Sequence, residues 1–199
     1  MPNWRARAAE MPPDGIHTGR KPPTRSTNRR FICPTRPALP AILRTIDACG
    51  LDIALVTNGI RFLAPLTDLV IGIKHATLIS FSLNASTEAT YRTVNNSKQY
   101  ARVLKNIEYL LTRRQAAKRN KDLAVAATFV VLKESLDEAV LFKDYWFGRY
   151  RYYGADPSLT FNGKGATTAS QVGFLVEAGA FPHAPENFRE VRARLDMTG

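Results

Sequence analysis

Three short apolar segments, at residues 52–59, 78–84 and 123–132, alternate with longer stretches that carry helical patterns. Parallel strands need crossover connections of about a dozen residues or more, whereas antiparallel strands can be joined by a hairpin of about two. The connections between these segments are long enough for crossovers, and apolar residues recur in them at helical spacing. The sequence therefore predicts an α/β fold in which parallel strands alternate with helices.

The second segment is the most informative strand, because its side chains alternate strictly. Its apolar positions are Ile79, Phe81 and Leu83. Its polar positions are Ser80, Ser82 and Asn84. A polar face in a parallel sheet either lines a ligand pocket or meets water. Ligand sites of parallel α/β folds lie at the carboxyl ends of strands, where Asn58 closes the preceding segment, so a ligand site there is one of two open interpretations.

Three helices are predicted: one before the first strand, one between the second and third strands, and one after the third. Apolar spacing predicts a short helix from Leu39, and a long helix through residues 100–111 for which Ser97 is the expected N-cap. The segment Ser135-Leu-Asp-Glu138 matches a capping box, which opens a further helix through Leu141.

The same segments, in order and spacing, resemble the central part of radical S-adenosylmethionine (radical SAM) enzymes over residues 41–141. The matching pieces are Leu55-Val-Thr-Asn-Gly59, Ile79-Ser-Phe-Ser-Leu-Asn-Ala85 with Glu88 and Tyr91, Val103-Leu-Lys-Asn-Ile107, and Phe129-Val-Val131. The resemblance implies a partial parallel (β/α) barrel that binds S-adenosylmethionine and a 4Fe-4S cluster and generates a 5′-deoxyadenosyl radical. It places Ser82 and Asn84, with Ser80 on the same face and Asn58 on the neighbouring strand, at the cofactor.

The chain departs from that family at its start. The C-x₃-C-x₂-C loop that supplies three thiolates is absent, and the only cysteines are Cys33 and Cys49. The Gly-Gly-Glu-Pro segment expected after the second strand is absent too. The resemblance therefore implies a barrel that is incomplete at its N-terminus, a truncated or degenerate protein that is inactive alone and whose cluster is not bound.

Residues 1–38 differ in composition from the rest. Most of the twelve prolines lie in residues 1–40, and the net charge of +11 is concentrated near the N-terminus. The basic residues of segment 1–36 are Arg5, Arg7, Arg20, Lys21, Arg25, Arg29, Arg30 and Arg36, against Glu10 and Asp14. This composition predicts a disordered basic arm at 1–38, followed by the βα units at 39–145 and a region of unassigned fold at 146–199. The alternative function is a small basic protein that binds nucleic acid nonspecifically through residues 1–36.

Two further segments leave alternatives open. The aromatic cluster at residues 145–153, with Arg149 and Arg151, is suited either to stacking on bases or to ordinary packing. The segment Asn162-Gly-Lys-Gly-Ala-Thr-Thr168 lacks the spacing of a phosphate-binding loop and indicates a flexible loop. No apolar stretch approaches the roughly 20 residues of a transmembrane helix, so we expect no membrane partner and a cytoplasmic location. Oligomeric state is left open.

Overall fold

The computed structural model describes residues 30–32, 38–132, 135–161, 170–175 and 193–194. The strands are β1 (Arg30–Ile32), β2 (Ile53–Thr57), β3 (Ala76–Ser82), β4 (Ala124–Val130), β5 (Pro157–Phe161) and β6 (Ser170–Leu175). The helices are α1 (Leu39–Ala48), α2 (Ala64–Gly72), α3 (Glu88–Asn95), α4 (Tyr100–Ala116) and α5 (Ala139–Tyr152), the last preceded by a 3₁₀ turn at Leu136–Glu138.

The six strands form a single parallel sheet in the order β1-β2-β3-β4-β6-β5. The first four strands are neighbours in chain order, each reached through one or two helices, as the long connections predicted. This confirms the α/β class and the parallel pairing. The three predicted segments are β2, β3 and β4, the central part of the sheet.

The described helices pack on one face of that sheet. Their buried apolar residues belong to a single core cluster with alternate strand positions, including Leu55, Ile79, Phe81 and Phe129. Phe81 meets Phe62 edge-on with ring centroids 5.3 Å apart. Ile79, Phe81 and Leu83, the apolar positions of the alternating segment, are all fully buried in this cluster beneath the helices.

Arg119 joins the end of α2 to the start of β3 through hydrogen bonds to backbone carbonyls. Arg119 follows α4, and its guanidinium donates to the carbonyls of Ile71 at 3.0 Å and Ile73 at 2.7 Å, at the end of α2, and of Ala76 at 3.0 Å, in β3. The last four carbonyls of a helix lack partners within the helix, and α2 has no basic residue in its own last turn. Arg119 supplies the missing donors from a distant part of the chain.

Several sequence predictions need correction. Residues 30–32, placed in the disordered arm, instead form β1, because β2 offers a parallel partner for their backbone. The rest of 1–37 lies outside the described residues.

Ser97 is not the N-cap of α4. Its hydroxyl accepts the Gln99 N–H at 3.3 Å in a turn that precedes the helix, and Gln99 is the N-cap. The proposed division after residue 145 falls within α5, and β5 and β6 extend the same sheet.

None of the described helices is long and apolar enough to cross a bilayer.

Candidate functional site

The polar face of β3 lies opposite the helices. Since side chains alternate along a strand, Ser80 and Ser82 point away from the core that holds Ile79 and Phe81. Thr128 of β4 is paired with Ser82 in the sheet register, and Val56 of β2 is paired with Ser80. We call this surface, defined by Ser80, Ser82, Thr128 and Ser158, the hydroxyl face.

Ser158 extends the hydroxyl face to β5. Its neighbour Leu159 packs against the helix-side core, so alternation turns Ser158 to the other face. The register runs from Ser158 through Gln171 and Ala126 to Ser80, three strand spacings of about 4.8 Å each. The Ser158 Oγ is buried and has no hydrogen-bond partner among the described residues.

The two serines of β3 are also unengaged. Ser80 is buried, Ser82 is half-buried, and within the described part of the chain neither hydroxyl makes a hydrogen bond. By contrast, the Thr128 hydroxyl donates to the Phe81 carbonyl at 3.0 Å. A buried hydroxyl without a partner is costly, so Ser158 is a polar group for which a ligand would supply the missing contact, while the Ser80 and Ser82 hydroxyls are groups that a ligand can still bond.

The turn after β2 places Asn58 at the same end of the sheet. Thr57 pairs with Phe81, so Asn58 follows at the level of Ser82. The side chain of Asn58 is exposed, and its Oδ1 accepts the Ile60 N–H at 3.2 Å. Its amide nitrogen is therefore the group that remains for a ligand.

Gly59 makes this turn possible. Its φ of +78° is a left-handed conformation, and a Cβ there would lie 2.8 Å from Val103 Cγ1 and 3.0 Å from Phe81 Cδ1. The Thr57 hydroxyl accepts the Gly59 N–H at 3.0 Å, and Asn106 Nδ2 donates to the Gly59 carbonyl at 2.8 Å. The loop that carries Asn58 is thus tied to both the strand and α4.

Asn84 holds two strand ends together. Its Oδ1 accepts the Val130 N–H at 3.0 Å and its Nδ2 donates to Asn95 Oδ1 at 3.2 Å. Its φ of 61° lies in the left-handed region, which asparagine tolerates better than most residues. Both ends of the amide are engaged within the protein, which makes Asn84 a residue that positions the ends of β3 and β4 beside Ser82.

Glu138 locks the loop that follows β3. Its Oε2 accepts the Ser86 N–H at 2.6 Å and the Thr87 N–H at 3.2 Å, while its Oε1 accepts the Thr87 and Thr90 hydroxyls, each at 2.7 Å. Partial burial raises the pKa of this carboxyl, but the bonds from Thr90, Thr87 and Ser86 outweigh that effect and the net pKa is lowered.

The predicted capping box at Ser135 is therefore wrong. The carboxylate of Glu138 serves the start of α3 rather than the backbone of its own helix, and α5 begins without a side-chain cap. The pattern identified the right residue types but not the partner, because a helix 48 residues earlier in the chain competes for the same carboxylate.

Of the predicted site residues, the structure brings Ser80, Ser82 and Asn58 to the same end of two adjacent parallel strands, β2 and β3. Sequence reasoning missed Thr128 and Ser158. Thr128 interrupts an apolar strand, which was an available signal. Ser158 lies beside a proline in a region with no clear period, so nothing in the sequence assigned it to this sheet.

The residues present do not fit a 4Fe-4S cluster. Such clusters are held by cysteine thiolates, and the family motif supplies three, whereas the sequence contains two cysteines in all. Cys49 is exposed at the end of α1, at the amino end of β2 and away from the strand ends described above. Among the described residues, no group of three histidine, cysteine or acidic side chains is arranged to hold a metal ion.

Comparison with known proteins adds no assignment. No protein-family model matches the chain, and no curated protein matches it.

Some side chains of the aromatic cluster at residues 145–153 pack in the core, and others are exposed. Trp146 and Tyr150 are buried in the core, whereas Tyr145 and Tyr152 on the same helix are exposed. The guanidinium of Arg149 forms an ion pair with Glu108 and lies 5.6 Å from the ring centroid of Tyr153. Packing accounts for the buried half of the cluster.

Proposed function

We propose that this chain is a cluster-free relative of the radical SAM enzymes that binds S-adenosylmethionine weakly at the carboxyl-end half of the hydroxyl face, in a partial (β/α) barrel. The observation that carries the proposal is a parallel sheet in which β1 to β4 are neighbours in chain order. Helices cover one face of this sheet, and the other face carries hydroxyls that make no hydrogen bond within the described part of the chain. The order and spacing of the radical SAM-like segments support it, since they coincide with β2, β3, α4 and β4.

The role of each residue follows from the hydrogen-bonding groups that it does not already use within the described part of the chain. The Ser80 and Ser82 hydroxyls both donate and accept, which suits ribose hydroxyls and the amino and carboxylate groups of the methionine moiety. Asn58 offers an amide donor one strand away. Asn84 acts indirectly, by holding β3 and β4 at the separation that the ligand requires.

Radical chemistry is not part of the proposal. Cleavage of S-adenosylmethionine to a 5′-deoxyadenosyl radical in the family requires an electron from the cluster, and the cysteines present do not fit one. The proposed activity is therefore binding alone. With the cluster and the Gly-Gly-Glu-Pro segment both absent, we expect a dissociation constant on the order of 1 mM.

Ligand-observed saturation-transfer NMR tests this at the affinity expected. S-adenosylmethionine should receive saturation from the wild-type chain, and Ser82→Ala, which removes one hydrogen bond worth about 1 kcal/mol, should weaken binding about fivefold. Thr45→Ala is the matched control, because it removes an exposed hydroxyl bonded only within α1. Absence of transfer to the wild type, or equal affinities for the two variants, would refute the site.

A further inference from the structure

The outer side of α5 carries large apolar side chains that the chain itself does not bury. Leu141 is 60% exposed, Tyr145 41% and Tyr152 74%. The opposite side of the same helix contributes Phe142, Trp146 and Tyr150 to the core. A helix that is apolar on both sides is normally buried on both sides, so the outer side of α5 lacks a partner in the described chain.

The exposed residues follow the spacing of a helix-pairing seam. Leu141, Tyr145, Gly148 and Tyr152 are separated by four, three and four residues, the alternation of a and d positions in a heptad. We call these four residues the α5 seam. Nothing lies within 4 Å of a Cβ built on Gly148, so the seam has a shallow notch at its centre.

The seam is complementary to itself when a second copy is laid against it in the antiparallel direction. In that arrangement Tyr145 of one copy lies opposite Gly148 of the other, so the largest central side chain meets the notch. Leu141 lies opposite Tyr152 at both ends. A two-fold axis at the middle of the seam generates all four layers from one set of contacts, as an isologous dimer requires.

The charged residues beside the seam are also complementary in this antiparallel arrangement. Asp144 and Arg151 flank the seam on one side, and antiparallel packing places Asp144 of each copy beside Arg151 of the other. The Asp144 side chain is 59% exposed, and its partner within the chain is the neighbouring Lys143 at 3.5 Å. Arg151 is exposed and rests over the Phe147 ring, with no ion pair among the described residues.

A cavity of about 270 Å³ adjoins the seam, between α5 and the start of α3 and α4. Its walls include Tyr100, Leu141, Tyr145 and Trp146. Tyr152 of a second copy would approach Leu141 at the mouth of this cavity, which gives an exposed aromatic ring an apolar surface to bury against.

We infer that two copies of this chain associate through antiparallel pairing of the α5 seam, with Tyr145 opposite Gly148 and Asp144 opposite Arg151 across a two-fold axis. The interface lies on the helix side of the sheet, away from the hydroxyl face. It is independent of the proposed binding function, and each can fail without the other.

Sedimentation velocity over a concentration series tests the dimer. The wild type should reach about twice the 22.1 kDa of one chain, whereas Tyr152→Glu and Gly148→Leu should remain monomeric at the same concentrations. Leu51→Glu is the matched control, because it replaces an exposed apolar residue that lies just before β2 and outside the α5 seam. Circular dichroism confirms that each variant is folded.

A charge reversal distinguishes this interface from any other. Asp144→Arg alone and Arg151→Asp alone should each weaken dimerisation by about tenfold, and the double variant should recover most of the loss, because the pairs are re-formed with opposite polarity. A monomeric wild type would overturn the inference. So would a dimer that Tyr152→Glu leaves intact, or a double variant no better than the single ones.

Discussion

Replacing Glu138 by glutamine removes the charge that joins the start of α3 to α5 while keeping the length of the side chain. The carboxylate accepts four hydrogen bonds, two from backbone N–H groups and two from threonine hydroxyls. Charge-assisted bonds are roughly twice as strong as neutral ones, and a neutral bond contributes about 1 kcal/mol. Allowing for the partial exposure of the site, we expect Glu138→Gln to lower the free energy of unfolding by about 2 kcal/mol, or the melting temperature by about 4–8 °C.

The effect should depend on pH in a defined direction. The pKa of Glu138 in the folded chain is lowered from its ordinary value of 4.5, so its ionised form stabilises the fold above that value and the contribution is lost as pH falls through the folded-state pKa. Urea unfolding followed by tryptophan fluorescence at several pH values measures the difference between the wild type and Glu138→Gln. The difference should be constant near neutrality and shrink below about pH 4.5.

Glu88→Gln is the matched control, because Glu88 lies on α3 in an exposed ion pair with Arg92 and should cost under about 0.5 kcal/mol. Equal stabilities of wild type and Glu138→Gln at pH 7, or a difference that persists unchanged in acid, would refute the role given to this carboxylate.

Three other outcomes are expected. Gly59→Ala should destabilise the fold by about 2–4 kcal/mol through its positive φ and its clash with the core, whereas Gly50→Ala, with positive φ but open space, should cost only about 1 kcal/mol in the same urea titration. Arg119→Lys should lower the free energy of unfolding by about 2 kcal/mol, since one ammonium cannot reach all the carbonyls that the guanidinium bonds. Arg113→Lys, which changes an exposed ion pair, should be nearly neutral, and equal urea midpoints for the two variants would contradict this. Deleting residues 1–29, which spares β1, should remove most of a salt-dependent affinity for a random DNA duplex, and unchanged binding by fluorescence anisotropy at low salt would show that the arm does not contact DNA.

The parts of the fold that the sequence predicted are those with a strong local period. The alternation in residues 78–84 placed Phe81 and Ser82 on opposite faces, as they are, because pleating leaves no other arrangement once one face is buried. The apolar stripe of residues 100–111 likewise identified α4.

The elements that were missed depend on partners far away in the chain. β1 has three residues and no period of its own, and β2 supplies the hydrogen bonds that make it a strand. β6 inserts between β4 and β5, an order that no local pattern encodes. The bonds of Glu138 to α3, and the unengaged hydroxyl of Ser158, arise in the same way from contacts between distant segments.

Hydrogen–deuterium exchange with and without S-adenosylmethionine tests the central claim most directly, because it shows where the ligand binds. At millimolar ligand, peptides covering residues 57–60 and 82–86 should exchange more slowly, since these backbone segments lie at the carboxyl ends of β2 and β3 beside the hydroxyl face. Peptides from α5 should be unchanged. Protection confined to α5, or no protection at any ligand concentration, would contradict the assignment of this face as the binding surface.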